Sequence, residues 1–222
     1  HSRLGRQPLC PLPQLERRPL EIATEDYRQS VAFGPTEAGP LLICLKLFCL
    51  LYYLPIMTIV EQKFVSPSKG AMALPEIVAD IRDYMHQSEK HSYQVIVGTD
   101  SQIYLDRTDF ITALVVRRVG AGGRYFWNRE HHPNFKSLRE RIYTETLKSL
   151  GVAEVFYQRL FDVLKDEERL KNFNFEIHVD VGENGATREM IKEVVGMVRG
   201  NGYEVKTKPL SFGAFVVADR HT

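Results

Sequence analysis

Apolar residues recur with two different spacings after residue 57, and the alternation between them predicts the secondary structure. Short apolar or alternating runs predict five strands, over residues 93–97, 110–119, 124–129, 173–179 and 203–208. Apolar residues three and four positions apart predict helices over 74–85, 137–165, 187–198 and 211–220. Gly151 interrupts the longest helical pattern and predicts a kink or a break there.

The order of these elements restricts the fold. After the first helix come three strands, and then helix, strand, helix, strand and helix follow. Glycines in the stretch 120–123 predict a hairpin between the second and third strands. An antiparallel meander followed by strand–helix crossovers predicts a mixed α/β sheet with helices on its faces. The order resembles that of the ribonuclease H-like fold, which implies five strands in the order 3-2-1-4-5, an antiparallel second strand and helices on both faces.

The first 56 residues differ in composition from the rest. They hold all three cysteines, Cys10, Cys44 and Cys49, and an apolar run over 41–54 that contains Lys46. That run is shorter than the roughly 20 residues of a membrane-spanning helix. We expect Met57 to be the natural start, with 1–56 a disordered or non-native extension and 57–222 the folded domain. A membrane anchor or a partner-binding segment is the alternative for 1–56.

Charge and cysteine content exclude some classes of function. The chain has 29 basic and 28 acidic residues, so no global basic field indicates a nucleic-acid partner, and any such partner would need a local patch. Residues 57–222 contain no cysteine, which excludes disulfides and thiolate zinc sites there. Nothing in 57–222 resembles an export signal or a membrane span, and we expect a cytoplasmic protein.

Two aspartates follow predicted strands. Asp100 lies just after the run YQVIV, and Asp180 ends the run FEIHVD. Each has an ordinary explanation, because Asp is common in turns and at strand-to-loop junctions, and for Asp100 taken alone that explanation is favoured. Ligands of α/β sheets bind at strand ends, however, and two neighbouring carboxylates repel unless a cation lies between them.

Two further acids could join this pair. Glu145 lies on the apolar stripe of the long predicted helix, where an unpaired Glu is unusual, whereas Glu140 lies off the stripe. A salt bridge to Arg141 or Lys148 is an equally acceptable explanation for Glu145. Asp219 follows the apolar run FGAFVVA, and it is either a mobile terminal residue or fixed by a docked helix.

Several motifs resemble one family. VGTDSQ at 97–102, the stretch 180–209 beginning DVGENGATREM, and ADRHT at 218–222 are similar to the YkuK-like family of ribonuclease H-like proteins, as is KFVSPSKG at 63–70. The resemblance covers residues 60–222 and none of the first 56. It implies that Asp100, Glu145, Asp180 and Asp219 are the acidic metal-site positions. Possible supporting residues are Ser101, Glu183, Lys208, Arg220 and His221.

Such acids would best serve nucleic-acid hydrolysis. Two Mg²⁺ or Mn²⁺ ions about 4 Å apart need carboxylate oxygens from separate elements, and they would promote hydrolysis of RNA, an RNA/DNA hybrid or DNA. The first alternative is an ATP-binding phosphotransferase of the actin-like superfamily acting as a dimer, because Asp180-Val181-Gly182 resembles a phosphate-binding DxG loop. The second is a non-catalytic module that binds nucleic acid or protein.

Overall fold

The structure is a computed structural model that describes residues 59, 61–88, 90–135, 137–165, 173–184, 187–212, 217 and 220. All of them belong to the unit Tyr52–Thr222. The predicted extension 1–56 lies outside the described residues, as do Asp219 and His221. Among the described residues, no helix has the length and apolar character needed to cross a membrane.

Seven strands form one mixed sheet. Their bounds are β1 Lys63–Ser66, β2 Gly70–Ala73, β3 Tyr93–Ile103, β4 Arg107–Arg118, β5 Gly123–Pro133, β6 Phe173–His178 and β7 Glu204–Lys206. They lie in the order β2-β1-β5-β4-β3-β6-β7. Strand β4 is antiparallel to both β3 and β5, whereas β3, β6 and β7 run parallel to one another.

Three helices lie between the strands in sequence. They are α1 Leu74–His86, α2 Leu138–Leu164 and α3 Ile191–Gly200, and a short 3₁₀ turn, Arg188–Met190, precedes α3. Glu76 begins α1 by accepting a 2.6 Å hydrogen bond from the backbone N–H of Ala73. Ser137 caps α2, since its hydroxyl oxygen accepts a 3.1 Å hydrogen bond from the backbone N–H of Glu140. These contacts satisfy backbone donors that have no partner inside the helix.

The predicted sheet is confirmed, with one addition. Strands β5-β4-β3-β6-β7 reproduce the order 3-2-1-4-5, and the second of them is antiparallel as expected. The hairpin β1–β2 extends the sheet at the β5 edge, and its four-residue strands are too short for alternation to reveal. The predicted helix 187–198 is divided into the 3₁₀ turn and α3.

The predicted break at Gly151 is wrong, because α2 is continuous through it. A β-carbon at Gly151 would lie 2.8 Å from Cδ1 of Ile59, so the missing side chain lets Ile59 pack against the helix. Tertiary packing of a long amphipathic helix outweighs the cost of roughly 1 kcal/mol that glycine imposes on a helix interior.

The hydrophobic core lies on one face of the sheet. Buried residues from all three helices meet odd-numbered side chains of β3 and β6 in one cluster, for example Ile81, Phe156 and Val194 around Val97 and Ile177. Alternation sends even-numbered side chains of the same strands to the opposite face. There the ring of Phe212, a helical residue of the predicted last helix, meets the ring of His178 with centroids 5.1 Å apart.

Candidate active site

Asp100 lies on β3, and Asp180 lies two residues beyond the end of β6, the parallel strand beside it. The register pairs Gly98 of β3 with His178, the last residue of β6, so each aspartate comes two residues after a paired residue. Neighbouring strands are about 4.8 Å apart, and residues separated by two positions share a face. Asp100 and Asp180 therefore share the face opposite the main hydrophobic core. The backbone N–H of Ser101 donates a 2.8 Å hydrogen bond to Oδ1 of Asp100.

Glu145 approaches the same end of the sheet from α2, which packs on the core face, whereas Asp100 and Asp180 point to the opposite face. Its side chain is 2% exposed, and Ser101 donates a 2.5 Å hydrogen bond to its Oε1. The pKa of Glu145 is raised to about 8, chiefly by burial and also by the charges of Asp100 and Asp180, while the Ser101 hydroxyl and Arg141 oppose the shift. Glu145 is consequently protonated at neutral pH, and it is electrostatically coupled to both aspartates.

A chain of buried hydroxyl groups fixes α2 against the sheet beside Glu145. The Ser149 hydroxyl is 2.9 Å from Oγ1 of Thr99, to which it donates, and Oγ1 of Thr99 is 3.0 Å from that of Thr112 on β4. All three residues are at most 1% exposed. This chain was not predicted, although Ser149 lies on the stripe that contains Glu145. It sets the position from which α2 presents its carboxyl group.

Lys208 is in direct contact with one acid of this group. Its Nζ is 2.9 Å from Oδ2 of Asp180, whose side chain is 18% exposed. The backbone N–H of Lys208 also donates a 2.9 Å hydrogen bond to the carbonyl oxygen of Val181. The predicted supporting residue Lys208 thus lies at the candidate site, where its ammonium group is paired with an acid of that site.

Two carboxyl oxygens at this site would suit a divalent cation once Glu145 has lost its proton. Oε2 of Glu145 and Oδ1 of Asp180 are buried, and neither has a hydrogen-bond partner in the described part of the chain. A buried polar atom without a partner is costly, and hard oxygen ligands are the ones that Mg²⁺ and Mn²⁺ prefer. Within the described ranges no three His, Cys, Asp or Glu side chains yet converge as a complete metal site. The donor chemistry fits a cation, and binding would require the acids to draw together.

Comparison with known proteins agrees with this arrangement of elements. Residues 76–222 match the family model described as Ribonuclease H-like. The chain belongs to the ribonuclease H-like family. It is also 33% identical over 168 residues to Uncharacterized protein YkuK from Bacillus subtilis (strain 168), which covers 72% of this chain and 96% of that relative. No solved structure matches the chain. The resemblance to the YkuK-like family that the motifs indicated is confirmed.

Other predicted site residues of this ribonuclease H-like protein are distributed differently. Glu183 and Arg220 are exposed, and no described contact joins either of them to the acids. The ammonium group of Lys206, another basic residue near this end of the sheet, pairs with Glu204 of its own strand, which raises the pKa of Lys206. Asp219 and His221 lie outside the described residues, so their roles stay predictions.

A buried polar group on the same face was not predicted. Oε2 of Glu176 accepts a 2.9 Å hydrogen bond from Gln94 and lies 3.1 Å from Nε2 of His178. Burial raises the pKa of Glu176, but these hydrogen bonds and the charge of Lys206 outweigh burial and hold it below its usual value. The sequence signal for this group was the alternation of polar and apolar residues in FNFEIH. It indicates a strand with one apolar face and one polar face. In the ribonuclease H-like sheet, His178 lies two residues before Asp180.

Proposed function

We propose that this protein is a metal-dependent nuclease that hydrolyses phosphodiester bonds at the site formed by Asp100, Glu145 and Asp180, with Asp219 as the expected fourth acid. The observation that carries the proposal is the buried Glu145, coupled to two aspartates from neighbouring strands and left with an unsatisfied oxygen. A core-facing carboxyl group beside two more acids destabilises the fold unless a proton or a cation compensates its charge. Membership of a family with a nuclease-type fold supports the same conclusion.

The arrangement of the acids suits a pair of divalent cations better than a general base alone. Asp100 and Asp180 would provide oxygens from two adjacent strands, and Glu145 would provide one from α2 after losing its proton. Bound Mg²⁺ or Mn²⁺ would polarise the phosphate, lower the pKa of a water molecule and stabilise the leaving oxygen. The three acids would hold the metal ions in place, and Ser101 would keep Glu145 oriented through its hydroxyl group.

We favour RNA or an RNA/DNA hybrid as the substrate. The near-neutral chain offers no global basic field for any nucleic acid, so binding would depend on local cations and on the metal centre. On the face that carries Asp100, β5 bears Tyr125, Trp127, Arg129 and His131 in turn. Trp127 and Arg129 are half-buried, and the guanidinium carbon of Arg129 lies 5.7 Å from the centre of the Trp127 ring. Such a mixture suits a sugar–phosphate backbone with partly unstacked bases.

Cleavage of defined nucleic acids tests the proposal. The full chain is incubated with labelled single-stranded RNA, RNA/DNA hybrid, single-stranded DNA and duplex DNA, in Mg²⁺, Mn²⁺ or EDTA. We expect metal-dependent cleavage of RNA or of the hybrid, reduced at least about 100-fold in the Asp100→Asn/Asp180→Asn double variant, because the metal loses two charged ligands.

A matched double variant controls for the change in charge. Asp83→Asn/Asp162→Asn removes the same two charges at exposed helix positions, and it should cleave like the natural chain. Equal cleavage by both double variants, or cleavage that persists in EDTA, would contradict the proposal. ATP hydrolysis without any cleavage would favour the phosphotransferase alternative, and metal-independent binding alone would favour a non-catalytic module.

A further inference from the structure

Lys208 is held against Asp180 by more than its charge. Its backbone N–H is anchored to Val181, and its Nζ lies 2.9 Å from Oδ2 of Asp180. The side chain between these points passes over Gly182, where an added β-carbon would lie 3.1 Å from Cβ and 3.5 Å from Cδ of Lys208. A backbone hydrogen bond, the close approach to Gly182 and an ion pair therefore direct the ammonium group to a single carboxylate.

The two oxygens of Asp180 have different surroundings. Oδ2 is paired with Lys208, whereas Oδ1 is buried and accepts no hydrogen bond among the described residues. A divalent cation that used this carboxylate would meet the positive charge of Lys208 a few ångströms away. Two cations that close repel each other, so they would compete for the same carboxylate.

We propose that Lys208 is a resident counter-ion of Asp180, which neutralises the carboxylate in the metal-free protein and is displaced when a divalent cation binds. This inference rests on the proposed metal site. Its consequence is that Lys208 weakens metal binding and makes occupancy of the site depend on the metal concentration. Lys208 is half exposed, so its ammonium group can move into solvent without crossing packed side chains.

The affinity for Mn²⁺, measured on the full chain by electron paramagnetic resonance of the free ion, tests this inference without any assay of activity. In Lys208→Met the competing charge is absent while the aliphatic part of the side chain is kept. We expect Mn²⁺ to bind about five-fold more tightly to this variant, the upper range for a partly exposed ion pair. Gly182→Ala keeps every charge but crowds Lys208, so it should tighten binding in the same direction and by less.

Lys206→Met is the matched control, because it removes the same charge from a lysine that lies two residues before Lys208 and is paired with Glu204. Its affinity for Mn²⁺ should stay within about two-fold of the natural value, since screening weakens charges that are not in contact. Thermal unfolding of each variant verifies that it is folded, and Asp180→Asn should lose Mn²⁺ binding.

The outcomes separate this inference from the proposed nuclease. Equal Mn²⁺ affinity in the natural chain, Lys208→Met and Gly182→Ala, with binding lost in Asp180→Asn, would overturn the inference and leave the metal site standing. Tighter binding in Lys208→Met without cleavage of any nucleic acid would support the inference and contradict the nuclease. An absence of Mn²⁺ binding in the natural chain would overturn both.

Discussion

The raised pKa of Glu145 makes a quantitative prediction about stability. Below its ordinary value of 4.5 the carboxyl group is protonated in both the folded and the unfolded chain, and above about 8 it is ionised in both. Between these limits the folded chain retains a proton that the unfolded chain has lost. The contribution of Glu145 to the free energy of unfolding is therefore largest at low pH and is lost as the pH rises toward 8.

The size of the effect follows from the shift. Each pKa unit corresponds to about 1.4 kcal/mol, so Glu145 should lower the free energy of unfolding by about 4 kcal/mol from pH 5 to pH 9 in EDTA. The Glu145→Gln variant has a neutral isostere that does not titrate and can still accept the hydrogen bond from Ser101. Its free energy of unfolding should lack this decrease, so the difference between the two chains isolates Glu145 from other titrating groups.

Urea unfolding of the natural chain and of Glu145→Gln, at intervals across this pH range, measures the difference. We expect Glu145→Gln to become the more stable chain above neutral pH. Parallel pH profiles for the two chains would refute the reasoning, because they would mean that Glu145 keeps an ordinary pKa. Saturating Mn²⁺ should reduce the pH dependence of the natural chain, since a bound cation favours the ionised carboxylate.

Two further predictions concern stability away from the carboxylates. Ser149→Ala should lower the free energy of unfolding by about 1 kcal/mol in urea, because it removes the buried donor to Thr99; an unchanged value would contradict the role of the hydroxyl chain. Burial raises the pKa of Asp80, but its contacts with Lys69 at 2.6 Å and Arg124 at 2.5 Å outweigh burial and hold it below its usual value. Asp80→Asn should therefore cost about 2 kcal/mol at pH 7, and the difference from the natural chain should shrink as acid protonates the aspartate; a difference independent of pH would contradict this.

The sheet could be predicted because its signals are local. Strand β3 contains the apolar run VIV, β6 alternates apolar and polar residues, and the glycines before β5 mark a hairpin turn. The burial of Glu145 was also predictable, because its neighbours at helical spacing are apolar, and the exposed Glu140 was separated from it by the same argument. Both predictions rest on periodicity, which a sequence displays directly.

Contacts between distant segments were beyond the sequence. The packing of Lys208 over Gly182 depends on how the loop after β6 meets the segment after β7. The spacing of residues in the sequence does not predict that contact. The close approach of Ile59 to Gly151, more than 90 residues away along the chain, likewise leaves no trace in the spacing of residues. Local propensity favoured a break there, and tertiary packing overrode it.

The position of bound metal tests the central claim most directly. Crystals of the full chain soaked in Mn²⁺ and measured by anomalous diffraction would locate each ion. The account predicts two anomalous peaks about 4 Å apart, in contact with carboxylate oxygens of Asp100, Glu145 and Asp180, with Nζ of Lys208 moved away from Oδ2 of Asp180. Mn²⁺ bound elsewhere, with these three acids uncoordinated at saturating concentration, would contradict it.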